Sequence, residues 1–137
     1  MVVGSKAFFS SYDDFNPKDI DYLELVDKGD VFSNFMQAHC KEFCCFEYVK
    51  KSKDEMINDA LNSNLGMNIG KFLVPEFINE LGITIEDLYK LKPLLNKLDD
   101  KHKYEKIIYN SYIQNNDFYL TKEQLDNAYK IYKLYRQ

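Results

Sequence analysis

Two pieces near the N-terminus decide how this chain reads: VVGSKAFF at residues 2–9 and DIDYLEL at residues 19–25. Val2 and Val3 are β-branched and predict a short strand. Gly4-Ser5 interrupts it, and KAFFSSY at residues 6–12 has room for one or two helical turns. Residues 13–19, DDFNPKD, carry loop chemistry, with Pro17 biasing Asn16 toward an extended backbone. A second strand is predicted over residues 19–26. Alternation puts Asp19, Asp21, Leu23 and Leu25 on one side and Ile20, Tyr22 and Glu24 on the other. Two carboxylates crowded on one side of a strand repel, and a positive charge between them removes the penalty.

Beyond this stretch the texture changes once. Lys28-Gly29-Asp30 predicts a turn, and VFSNFMQAHC at residues 31–40 has helical spacing. EFCCFEYVK at residues 42–50 reads as a third strand, rich in aromatic and β-branched side chains. After Lys50 the pattern is helical. Capping boxes begin at Ser52, Thr84 and Thr121, Pro75 starts or kinks a helix, and Gly82 stops one. Pro93 shortens the helix that follows Thr84, and Asp99 or Asp100 opens a longer one reaching about Asn115. Tyr129, Tyr132 and Tyr135 continue a stripe from Leu125 and Ala128 on the last helix. Strands early and helices late predict an α+β fold, a small mixed sheet packed with a C-terminal set of helices. The strand set is too small to stand alone, so the 137 residues are expected to form one domain, with a sheet region at 1–50 and a helical region at 51–137.

Composition narrows the functional classes. The net charge of −4 provides no global field to recruit nucleic acid. No run approaches the roughly 20 apolar residues needed to span a bilayer, so no membrane partner is expected. The N-terminus lacks the pattern of a secretory signal. Cys40, Cys44 and Cys45 are odd in number, and two are adjacent, a poor disulfide framework; the expected compartment is the reducing cytoplasm. His39 beside these cysteines lacks paired zinc-ligand spacing, and buried thiols are ordinary core residues.

Magnesium suits the Asp19–Asp21 pair, because it takes oxygen ligands from one or two carboxylates together with substrate phosphates. Gly4 lets a backbone approach closely, and amides at a helix start accept phosphate oxygens. With these residues in this order, the chain resembles the nucleotidyltransferase superfamily, the polymerase-beta-like and minimal nucleotidyltransferase fold. The resemblance covers about residues 2–50 and rests on Gly4-Ser5 followed by Asp19-Ile20-Asp21. It implies that Gly4 and Ser5 bind the triphosphate of an NTP and that Asp19 and Asp21 bind metal. It implies a third acid on the third strand, Glu47 before Glu42. The family often carries Arg-Gly shortly after Gly-Ser; here Lys6 is the nearest cation. The reaction implied is transfer of a nucleotidyl group to a hydroxyl on a protein, a small molecule or an RNA end.

A different class fits the same scaffold: an inactive nucleotidyltransferase fold that binds a protein partner, or itself, through the C-terminal helices. Lys71 near Gly70, and His102 between Lys101 and Lys103, are further candidate phosphate contacts, each with a solvated-surface alternative.

Overall fold

The protein is described from a computed structural model covering residues 1–17, 20–26, 43–49, 52–62 and 69–135, with backbone alone for 24–26 and 43–49. The class is α+β. The chain divides into two compact units, Met1–Ser52 and Lys53–Gln137.

The first unit is built on three strands, β1 (Val2–Val3), β2 (Ile20–Val26) and β3 (Phe43–Val49), in the spatial order β1-β2-β3. β1 runs antiparallel to β2, with Val2 opposite Tyr22 and Val3 opposite Asp21. The ladder continues one residue outward: Met1 N donates to the Leu23 carbonyl at 2.7 Å and Leu23 N–H donates to the Met1 carbonyl at 2.8 Å. β3 lies parallel to β2, in a register that sets Asp21 opposite Cys44 and Glu24 opposite Glu47. The expected turn at 28–30 and helix at 31–40 lie outside the described residues. Helix α1 (Ser5–Phe9) follows β1 directly, as KAFF allows, and buries Phe8 and Phe9. The chain then turns back on itself. Tyr12 N–H donates to the Phe9 carbonyl and Phe15 N–H to the Tyr12 carbonyl, while the Tyr12 and Phe15 rings pack 6.2 and 6.4 Å from that of Phe9. Aromatic packing of this kind gives an otherwise polar loop a fixed path.

The second unit is helical: α2 (Lys53–Asn62), α3 (Pro75–Leu81), α4 (Ile85–Lys90), α5 (Lys103–Asn115) and α6 (Lys122–Leu134), with 3₁₀ turns at Ile69–Leu73, Lys92–Lys97 and Asp100–His102. Punctuation in the sequence sets several of these bounds. Pro75 is the first residue of α3, where its missing N–H costs nothing. Gly82 ends that helix in the left-handed region. Thr84 and Asp87 form a reciprocal capping box on α4, and Thr121 and Gln124 form another on α6. Pro93 falls inside the 3₁₀ turn, so α4 stops at Lys90 and Leu94 reaches the core from the tighter helix. The longer helix expected from Asp99 or Asp100 starts as a 3₁₀ turn and becomes α-helical at Lys103.

The core of this unit is aliphatic and tyrosine-rich. Ala60, Ile69, Phe72, Leu73, Phe77, Leu88, Leu91 and Ile108 have no exposure. Buried phenols need partners, and two of them find backbone carbonyls. Tyr109 Oη donates to Leu88 O at 2.7 Å, tying α5 to α4, and Tyr112 Oη donates to Leu73 O at 2.9 Å. Burial pushes the Tyr112 phenol up. α5 and α6 form an antiparallel hairpin. Tyr104 packs edge-on against Tyr132 at one end, and Asn115 Nδ2 donates to Gln124 Oε1 beside the turn. Among the described residues no helix is long and apolar enough to cross a membrane.

Two buried carboxyls in this unit are treated in opposite ways. Asp87 is 2% exposed. Burial alone pushes its carboxyl up, but the Thr84 amide, the Lys53 ammonium at 3.0 Å and the Thr84 hydroxyl outweigh it and hold the group below its usual range. Glu105 is equally buried at the first turn of α5, yet Oε2 has no hydrogen-bond partner among the described residues. Burial pushes its carboxyl up against the opposing pull of His102, whose Nδ1 lies 3.4 Å from Oε1.

Stability should therefore respond to pH with opposite signs at the two sites. Asp87→Asn is expected to cost about 2 kcal/mol at neutral pH, through loss of the cap acceptor and the partly buried ion pair. That difference should shrink as pH falls below the unfolded value near 4 and through the lowered folded value. Glu105 gains a proton more readily folded than unfolded, so its contribution is present below the unfolded value near 4.3 and is lost as pH rises. Glu105→Gln should flatten that fall and leave the protein at least as stable at neutral pH. Urea unfolding of both variants between acid and neutral pH checks both signs.

Candidate nucleotide site

Strand pairing determines where the acidic and glycine elements meet. Because Val3 pairs with Asp21, the residue after β1 must turn directly beside the Asp21 side chain. Gly4 makes that turn at φ 72° and ψ −155°, a conformation open essentially to glycine alone. A Cβ on Gly4 would also come within 2.7 Å of Asp21 Oδ2. Two independent constraints thus exclude a side chain at position 4: the backbone torsion and the carboxylate occupying the space. Ser5 follows as the first residue of α1, 9% exposed, and Ala7 N–H closes the first turn onto the Gly4 carbonyl at 3.1 Å. Lys6 is half-buried on the same turn.

Among the expected site residues, Gly4, Ser5 and Asp21 are thereby brought together at one end of the β1–β2 pair. Asp21 is half-buried and retains access to solvent. Asp19 lies outside the described residues. Glu47 is described by its backbone alone: it sits on β3 opposite Glu24, three positions along from the Asp21–Cys44 pair, so the register puts it on the alternate face of the sheet from Asp21, contrary to its expected place as a third acid there. Glu42, His39 and Cys40 also lie outside the described residues. Among those that are described, no group of three or more His, Cys, Asp or Glu could hold a metal ion.

The helical unit holds a cluster that sequence reading passed over. His102 was expected to face solvent or a phosphate. It turns instead to two acids, Glu105 through Nδ1 at 3.4 Å and Asp99 through Nε2 at 3.8 Å. The i, i+3 spacing of Asp99, His102 and Glu105 was visible in the sequence. What it could not convey is that Glu105 falls on the buried side of α5, next to Tyr104.

No family model, no curated protein and no solved structure matches this chain.

The contact between Gly4 and Asp21 predicts a specific energetic coupling. Gly4→Ala should destabilise the protein by about 2–3 kcal/mol, from torsional strain together with the clash against Asp21. In an Asp21→Ala background the clash disappears and a torsional cost of about 1–2 kcal/mol should remain. A double-mutant cycle by denaturant unfolding reads the difference as a coupling between the two positions. Additive costs would show that the carboxylate does not lie against Gly4 in solution.

Proposed function

We propose that the sheet unit is a nucleotidyltransferase-like site that binds an NTP and transfers its nucleotidyl group to a hydroxyl acceptor. The observation that carries this reading is the seating of the Asp21 carboxylate against the bare Cα of Gly4, at the head of a short helix that starts with Ser5. A carboxylate and a glycine-led helix start in contact join the two halves of a metal–triphosphate site, one for the cation and one for the phosphate oxygens. The order of elements supports it as well: strand, Gly-Ser, short helix, loop, acidic strand, and a further strand bearing an acid.

The residues divide the work as follows. Gly4, Ser5 and Lys6 hold the triphosphate, with glycine leaving room for close approach and lysine offsetting negative charge. Asp19 and Asp21 would hold magnesium, which when bound neutralises charge on the phosphates and the leaving group. The acceptor oxygen attacks the α-phosphorus, the bond to the bridging oxygen of pyrophosphate breaks, and pyrophosphate leaves. The resemblance names Glu47 to take the proton of the acceptor hydroxyl, but its register with Glu24 gives it the opposite parity to Asp21, so the proton is assigned to solvent water. The acceptor is a hydroxyl on a protein, a small molecule or an RNA end, and three cysteines without a disulfide framework favour a cytoplasmic setting.

A second reading is favoured by a separate observation. Tyr119, Leu134 and Tyr135 are large apolar side chains left exposed around α6. They suit an inactive scaffold that binds a protein partner or a second copy through its C-terminal helices.

Calorimetric titration of magnesium-ATP into the full chain separates the two. Binding is expected for the wild type and should weaken at least about tenfold in Asp19→Asn/Asp21→Asn, whose side chains keep their shape and lose their charge. Equal affinity for both proteins would sink metal-dependent nucleotide capture at this place.

A further inference from the structure

A concave site lies wholly within the helical unit, and its lining carries lysines where the Gly4–Asp21 junction carries a carboxylate. It is an open pocket of about 520 Å³, within the range of small-molecule sites. One wall comes from the end of α4 and the 3₁₀ turn after it, with Tyr89, Lys92 and Asn96; the other comes from α5, with Lys106 and Asn110. Local periodicity explains the grouping. Lys106 and Asn110 are four apart on an α-helix and share a face. In the 3₁₀ turn that holds Pro93, residues three apart share a row, so Lys92 and Leu95 continue the row of Tyr89 while Pro93 and Asn96 form the row beside it. The buried hydrogen bond from Tyr109 to Leu88 holds the two walls in register.

The chemistry of the lining is selective. The protein carries a net charge of −4, yet this pocket has two lysines and no carboxylate. Lys53, Lys90, Lys103 and His102 lie in ion pairs, whereas among the described residues neither Lys92 nor Lys106 has an acidic partner. The side-chain amides of Asn96 and Asn110 are likewise uncommitted there, and each offers both a donor and an acceptor. Tyr89 is 56% exposed, so a ring face is open at the rim. Two ammonium groups suit a phosphate, uncommitted amides suit the edge of a heteroaromatic ring, and an exposed phenol ring suits its face.

We propose that this pocket is a second ligand site, taking a small phosphorylated molecule with a planar heteroaromatic ring, of the nucleoside monophosphate class. Lys92 and Lys106 bind the phosphate, Asn96 and Asn110 read the ring edge, and Tyr89 stacks on the ring. The bounded concavity and the overall negative charge disfavour a long polyanion, which would need an extended basic track. The assignment does not depend on the reading of the sheet unit, because no residue is shared.

The test uses the full chain in EDTA, so that metal-dependent capture at Asp19 and Asp21 is silent. AMP is the probe, with adenosine and inorganic phosphate as its separated halves. Binding is followed by NMR at the side-chain amides of Asn96 and Asn110 and by calorimetry. AMP should shift both amides and bind at least about tenfold more tightly than adenosine or phosphate alone. Lys92→Gln/Lys106→Gln should weaken AMP at least about tenfold, Tyr89→Ala should weaken it as well, and Asp19→Asn/Asp21→Asn should leave it unchanged. Tyr89, Lys92 and Lys106 are exposed, and circular dichroism verifies that the fold persists in each variant. Absence of AMP binding at about 10 mM overturns the proposal. So does equal affinity in the lysine double variant, equal affinity for adenosine, or shifts confined to residues near Gly4 and Asp21.

Discussion

The antiparallel pairing of Val3 with Asp21 is the constraint on which the sheet unit depends. It brings a carboxylate beside the residue where β1 must end, and the chain can leave the strand there only through a backbone without a Cβ. Gly4 is therefore required twice, once by torsion and once by the occupied space. The same turn starts α1 at Ser5, so one local contact joins an acidic strand, a glycine and the head of a helix. The proposed nucleotide chemistry grows from that junction.

The helical unit solves a different problem. It buries several tyrosines and two carboxyls, and every buried polar atom must find a partner or incur a desolvation penalty. Tyr109 and Tyr112 reach the carbonyls of Leu88 and Leu73, which turns large aromatic side chains into ties between elements. Asp87 gathers a backbone amide, a hydroxyl and an ammonium. Glu105 does not complete its set, and its unpartnered oxygen marks where the core of this unit carries polar strain.

The two units present polar features of opposite sign. In the sheet unit a carboxylate faces a glycine turn, an arrangement suited to a cation bridged to phosphates. In the helical unit two lysines and two amides that have no partner among the described residues flank an exposed ring, an arrangement suited to a phosphate held directly by ammonium groups. The two proposed sites would respond differently to divalent metal, which makes the proposals separable in one chain.

Much of the architecture was legible because it rests on short-range rules. Pro75 at a first helical position, Gly82 in a left-handed stop, and the boxes at Thr84 and Thr121 each depend on residues within one turn of one another. Alternation in DIDYLEL announced β2, and the order of Gly4-Ser5 before it named the candidate site. The sequence by itself thus determined the α+β class and most helix ends, and it supplied the candidates for phosphate and metal ligands. Tertiary structure decided which of them touch. That Asp21 lies on Gly4 follows from strand register, that Glu105 is buried follows from which side of α5 meets the core, and that Lys92 and Lys106 line one pocket follows from a hydrogen bond spanning 21 residues. Each is a contact between distant positions, and periodicity along one segment carries no information about the segment it will meet.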